Sequence, residues 1–325
     1  MNLKYSCFIE TYNIYVNTNL DAYISRFQFN LNNKLDFLIE LDENDPNIDE
    51  YYCKQSKYLT ILVQDVPNAL SLGDYLRKHL SSLETENTQD DYMKKEDAFS
   101  LSLLEILFQL YCPLNQLKNH FTHYDFHQEN VLLYTLKKDE FITMRYVYPN
   151  KQVIEFETSF IAKIIDYGRC FFSHGKDNTQ TFIKEKLETK NCNEKQVLGD
   201  DAGFNLISDE EIPLSLIDYI NPRQKNSSHD LRLLYTIQDL YSTKNCYHSI
   251  LLFELFENIV YERDFGTREI IHHNTEYICN VTDAYLFLRK AIKSNEYTKY
   301  KKKGTKVGTL TIYVDDDVNK IMKFD

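Results

Sequence analysis

Between Phe121 and Leu133 the chain reads Phe-Thr-His-Tyr-Asp-Phe-His-Gln-Glu-Asn-Val-Leu-Leu. That run places His123, Asp125, His127 and Asn130 just ahead of an apolar segment suited to a strand. A second carboxylate, Asp166, closes the segment Phe160-Ile-Ala-Lys-Ile-Ile-Asp and is followed by Tyr167 and Gly168. Asn130 and Asp166 together would offer an amide oxygen and a carboxylate oxygen, the hard ligands that Mg²⁺ prefers. Asp125, on the same loop as Asn130, could orient a hydroxyl group and accept its proton. A metal, a proton acceptor and no covalent nucleophile suit phosphoryl transfer, where positioning and charge stabilisation supply most of the catalysis.

Other readings of the same residues exist. Asp125 and Asp166 could be solvated turn residues, with Asn130 a cap and Asp230 the N-cap of its own helix. His120, His123 and His127 with Asp125 could gather around zinc, but no HExxH, CxxC or HD-type motif accompanies them. The seven cysteines are odd in number and scattered without a CxxC. They read as small buried hydrophobes in a reducing compartment rather than as a disulfide frame or nucleophiles.

The elements that must position these residues follow from patterning. Tyr58–Gln64 is a short continuous apolar run, the signature of a strand buried on both faces. Residues 3–16 read as a strand pair or a strand and turn, and 41–50 as an acidic loop. Ser71–Leu80 carries Leu72, Leu76 and Leu80 on one stripe and reads as a helix. Residues 81–97 are polar and read as an exposed loop. Phe99, Leu103, Ile106, Leu107 and Leu110 recur at helical spacing, with Pro113 expected to kink or end that helix. Strands are expected over Val131–Leu136, Phe141–Tyr148, Val153–Glu157 and Phe160–Asp166, with a hairpin at Pro149-Asn150. Residues 173–229 are polar and irregular, and 230–241, 247–262 and 281–293 have helical periodicity. The expected class is α+β.

Composition narrows the function classes. The chain has 325 residues, 43% of them hydrophobic and 26% charged, as in an ordinary soluble globular protein. Lys and Arg number 37 against 49 Asp and Glu, a net charge of −12 that disfavours binding to nucleic acid. No uninterrupted apolar run approaches the roughly 18 residues of a membrane span, and the N-terminus lacks a signal-peptide core. The expectation is an intracellular, cytoplasmic protein with neither nucleic-acid nor membrane partners.

His123, Asp125 and Asn130, followed by Asp166-Tyr167-Gly168, resemble the catalytic loop and metal loop of the protein-kinase-like superfamily. Ser228-His229-Asp230-Leu231-Arg232 resembles the start of the buried helix that supports a kinase catalytic loop, and ILVQDVPNALSLGDYL resembles hinge strand, hinge and following helix. The overall look is similar to kinase-like proteins of large DNA viruses. The resemblance implies a small partial β N-lobe over residues 1–66, ending in the hinge, and a large, mainly helical C-lobe with a C-terminal tail over 67–325. It implies ATP and Mg²⁺ as cofactors, Asp125 and His127 as catalytic residues, and Asn130 and Asp166 as metal ligands. Gln64, Asp65, Val66 and Leu132 would surround the adenine, while His123, Gly168 and Asp230 would be structural. Tyr124 stands where such kinases carry Arg, and His127 where they carry Lys.

Parts of the family pattern are missing. No glycine precedes Gly73, so a glycine-rich phosphate loop is impossible upstream of the hinge. Lys4, Lys34, Lys54 and Lys57 lack the expected strand setting, and no Ala-Pro-Glu lies between Asp166 and Asp230. The sequence therefore suggests a kinase-like chain that begins late, with Met1 not the ancestral start and an apolar hinge strand that a partner could cover. The activity implied is a Ser/Thr-type protein kinase on an unknown protein substrate. The alternatives are a pseudokinase binding module and a small-molecule kinase of aminoglycoside or choline type.

Overall fold

The computed structural model describes residues 6–9, 11–17, 58–63, 65–83, 88–167, 170–174, 177–178, 225–242, 250–261, 269–270, 276–298 and 302–314, with backbone alone for 11–17, 58–63, 174, 177–178, 242, 250–251 and 296. Strand β1 (Thr11–Asn17) pairs antiparallel with β2 (Tyr58–Val63), as two β-rich runs joined by a polar stretch allow. A turn at 65–68, with Asn68 at φ 56°, leads into β3 (Ala69–Ser71) and directly into α1 (Leu72–Leu83). Leu72, Leu76, Leu80 and Leu83 form the buried stripe of α1.

Helix α2 (Gln89–Leu117) is the central element, touching α1, two later helices and three of the strands that follow it. Residues 89–97, expected as a loop, belong to it. The Thr88 hydroxyl accepts from the Asp91 amide at 3.2 Å and so caps the helix. Asp90 and Asp91 sit at its positive end, which stabilises a first turn that carries few apolar residues. Pro113 lies inside α2 without ending it. It removes one backbone bond, but Leu110, Tyr111, Cys112 and Leu114 are buried around it, and fully burying each such side chain contributes about 1.5–3 kcal/mol. By length and composition α2 could cross a membrane, yet 83% of its apolar window is buried inside the protein.

After β4 (Phe121–Thr122) and a 3₁₀ turn (Gln128–Asn130) come β5 (Val131–Thr135), β6 (Glu140–Val147), β7 (Val153–Thr158) and β8 (Phe160–Ile164). These four match the expected runs closely. Strands β3, β5 and β8 form one antiparallel sheet, and β6 and β7 form the hairpin around Pro149-Asn150. Gln109 of α2 ties helix to sheet: its side chain donates to Phe160 O and accepts from Ala162 N, both at 3.1 Å.

Further on lie β9 (Phe171–His174), β10 (Asp177–Asn178), a 3₁₀ turn (His229–Leu231), α3 (Arg232–Ser242), α4 (Ile250–Glu257), α5 (Val281–Ile292) and α6 (Asn295–Thr298). The expected C-terminal tail contains instead a strand, β11 (Thr305–Tyr313), parallel to β6. Only Leu310 and Ile312 among its inward positions are strongly apolar, so its alternation is faint in the sequence. The lead-in is fixed by Lys302, whose Nζ lies 3.1 Å from Glu105 Oε2 on α2; Tyr297 donates to Glu105 Oε1 at 3.0 Å. Gly304 follows at φ 136°, tight against the Asp139 backbone, where a side chain would not fit. The class is α+β, and among the described residues after 67 helix outweighs strand.

Candidate active site

The loop from Phe121 to Asn130 is held at both ends by strands. Strand β4 pairs with β9, and the Thr122 hydroxyl accepts from Asn226 N at 2.8 Å. At the other end, β5 aligns Val131 with Ile164 of β8, which sets Asn130 opposite Ile165 and next to Asp166. Ile165 N donates to Asn130 O at 3.0 Å, and the Ile165 carbonyl accepts from His123 Nε2 at 2.9 Å. One residue thus joins the loop to the end of β8.

Because a carbonyl only accepts, His123 carries its proton on Nε2. Its Nδ1 is buried without a hydrogen-bond partner among the described residues, and burial pulls the imidazole down to about 4, so the ring is neutral. His123 is a structural residue in this arrangement.

Asp230 supplies the strongest organising contact. Its carboxylate accepts from His123 N at 2.9 and 3.1 Å and from Tyr124 N at 3.0 Å, all buried. Asp230 thus caps the loop and not its own helix, which corrects the capping role expected for it. Burial pushes its carboxyl up to about 7, while the two amides pull the other way. Tyr124 has φ 63°, uncommon for a bulky side chain, and strain of this kind costs roughly 1–3 kcal/mol. The amide bond to Asp230 and the burial of its ring beside Phe171 and His229 offset that cost.

Asp125 follows, nearly buried. Its Oδ1 lies 2.9 Å from Arg232 Nη1 at the start of α3 and 3.6 Å from His127 Nε2. The second distance is too long for a hydrogen bond. His127 Nδ1 accepts from Glu129 N at 3.2 Å, and desolvation lowers its pKa, so His127 faces Asp125 as a neutral ring.

Asn130 donates from Nδ2 to Asp125 O at 2.8 Å, leaving Oδ1 as its acceptor. Asp166 is exposed, at φ 59°, directly beyond the anchored Ile165. An oriented amide oxygen and an exposed carboxylate on adjacent strand ends fit a Mg²⁺ ion that keeps several waters. No group of three or more His, Cys, Asp and Glu that could hold a metal occurs among the described residues. Next to Asp166, Tyr167 packs against Phe8, Phe121 and His123, and its hydroxyl donates to Ile164 O at 2.6 Å.

The residues expected around adenine are only partly placed. Gln64 and Gly168 lie outside the described residues. Asp65 is exposed and Val66 half-buried, in the turn whose Val66 carbonyl accepts from Ala69 N at 3.2 Å. Leu132 is half-buried on β5 between the buried Val131 and Leu133, opposite Ser71 of β3.

Sequence reasoning missed three residues. Arg232 lies two residues past Asp230 in a segment whose pattern assigns it no role. Glu129, inside the loop motif, accepts from Ser71 Oγ at 2.9 Å and from Arg77 Nη1 at 2.8 Å, and Arg77 also holds Asp74 at 2.8 Å. Position in the motif is the signal that could have found Glu129; Arg77 left none.

No family model matches this chain, and no curated protein matches it. Among solved structures, a crystallised kinase domain is similar at 18% sequence identity and a TM-score of 0.21, covering 89% of this chain and 86% of its own.

Proposed function

We propose that this chain is a protein-kinase-like phosphotransferase that moves the γ-phosphate of ATP to a hydroxyl group, of Ser/Thr type on a protein substrate. The observation that carries the reading is the Asp230 carboxylate on the amides of His123 and Tyr124, which fixes the backbone leading into Asp125. Asp125 would orient the substrate hydroxyl and accept its proton as the oxygen bonds to the γ-phosphorus. The bond to the β–γ bridging oxygen breaks, and its electron pair leaves on ADP. Asn130 and Asp166 would hold Mg²⁺, which supplies charge neutralisation on the phosphates. Asp65, Val66 and Leu132 would line the adenine.

The test is phosphotransfer from ATP to a panel of proteins, aminoglycosides and choline-like alcohols, which separates protein from small-molecule substrates. Asp125→Asn should remove nearly all transfer, and Asp166→Ala should abolish Mg²⁺-dependent nucleotide binding. Transfer by Asp125→Asn at the wild-type rate would remove Asp125 from its role.

A second reading, a pseudokinase binding module, is favoured by the lack of any glycine before Gly73. Both readings imply weak nucleotide binding. At ten times Kd the nucleotide adds only about 1.4 kcal/mol of stability. Nucleotide binding without transfer to any panel member would favour the second.

A further inference from the structure

The 3₁₀ turn His229–Leu231 delivers two charges to the loop from opposite signs. Asp230 holds backbone amides, and two residues later Arg232 Nη1 reaches Asp125 Oδ1 at 2.9 Å. Both partners of that ion pair retain some exposure, 20% for the Arg232 side chain and 12% for Asp125, so the pair borders the open face of the site.

We propose that Arg232 is a phosphate-binding catalytic residue that contacts the phosphoryl group being transferred; this rests on the phosphotransferase reading above. A carboxylate that orients the attacking hydroxyl lies within hydrogen-bond distance of it, and that hydroxyl must come within roughly 3–3.5 Å of the phosphorus. A guanidinium already bonded to the same carboxylate therefore stands beside the transferred group's oxygens. Charge supports the same placement. Asp125, Asp166 and Glu129 all act on the His127 ring, so this corner is rich in carboxylates before a polyanionic nucleotide arrives. The planar guanidinium fork of Arg232, with five N–H donors, can bridge a carboxylate and a phosphate. In the resting site Asp125 stands in for the anion; in the loaded site the guanidinium would be shared.

The experiment measures affinity by calorimetric titration, with Mg²⁺ present, for ADP and for the non-hydrolysable β,γ-imido analogue of ATP. Wild type should bind the imido-triphosphate at least about tenfold tighter than ADP, the gain of one or two charge-assisted hydrogen bonds. Arg232→Gln should erase that preference while holding ADP affinity within about twofold. Asp125→Asn should strengthen triphosphate binding, since the competing carboxylate is gone. A thermal midpoint checks that each variant folds. If Arg232→Gln does not fold, Arg232→Lys decides, since a point charge should keep only part of the preference and an unchanged preference overturns the proposal. A preference that survives intact in folded Arg232→Gln, or its absence in wild type, overturns the role of Arg232 alone. If wild type binds neither nucleotide, the phosphotransferase reading fails and takes this inference with it.

Discussion

The loop between His123 and Asn130 is anchored at both ends by a carboxylate, and the two anchors differ in nearly every physical respect. At the front, Asp230 is buried, its carboxylate accepts from the backbone amides of His123 and Tyr124, and desolvation pushes that carboxyl up to about 7. At the back, Glu129 is exposed, bonds the side chains of Ser71 and Arg77, and is held below the ordinary carboxylate range chiefly by Arg77. The buried anchor fixes geometry because removing it orphans donors that no water can reach. The exposed anchor can be replaced by water at little cost. Between them sits Asp125, fixed in backbone by its neighbours and engaged in side chain by Arg232.

Removing the buried anchor should have the largest effect. Asp230→Ala leaves the amides of His123 and Tyr124 without acceptors, at about 1–3 kcal/mol each. Tyr124 also loses a contact that holds its strained backbone. We expect urea denaturation to show a loss of roughly 3–5 kcal/mol, with phosphotransfer abolished. A loss below about 1 kcal/mol would mean that water reaches those amides, and the contrast between the anchors would collapse.

Asp125→Asn should split the two properties. A positioned proton acceptor is worth about 10²–10⁴-fold in rate, so transfer should fall by that factor. Unfolding should move little, because the pair it breaks with Arg232 borders solvent and the loop backbone keeps both anchors. Parallel kinetics and urea titrations would check the split; a large loss of both would place Asp125 with the structural residues.

The pH dependence distinguishes the anchors by sign. Asp230 titrates near 3.9 when unfolded and at about 7 when folded. Between those values the native state binds the proton more tightly, so the contribution of Asp230 falls as pH rises from about 4 to 7. Glu129 is shifted the other way: its contribution is present above about pH 4.3 and is lost as pH falls through its lowered folded value. Comparing wild type with Asp230→Asn at pH 5, 6 and 7 cancels the buried His123 and His229, which titrate with the opposite slope. The stability difference should shift against wild type by up to about 1.4 kcal/mol per pH unit. A shift in its favour would mean that the amide bonds outweigh desolvation.

How much of this was legible beforehand follows the same division. Strands β5 to β8 and the stripe of α1 announced themselves through apolar patterning, and His123, Asp125, Asn130 and Asp166 through spacing along the chain. Asp230 was visible as a helix-start residue, but its true partners lie 106 and 107 residues away, a distance that no local pattern encodes. The first turns of α2 were misread because a Thr88 cap and two acidic residues, not hydrophobic periodicity, hold them. Strand β11 was missed because its pairing with β6 joins distant segments through only two strongly apolar inward residues. Arg77 is an exposed charge on a helix, and nothing in sequence separates it from a solvated one.

The smallest effect belongs to the exposed anchor, and Gly73 is the place to probe it. A Cβ at Gly73 would overlap the Glu129 carboxylate, the movable end of a flexible side chain. In Gly73→Ala that carboxylate should therefore swing away from Ser71 and Arg77 rather than distort α1. An exposed ion pair is worth about 0–1 kcal/mol, and replacing glycine by alanine within a helix returns up to about 1 kcal/mol. The net change in the thermal midpoint should thus be close to zero. What changes is the coupling. Glu129→Ala already removes the contact, so Gly73→Ala in that background should be stabilising by the helical gain alone. A double-mutant cycle should give an interaction of about 0.5–1 kcal/mol between the two sites. A cycle that closes at zero would show that Gly73 serves the packing of α1 and leaves the loop without an exposed anchor.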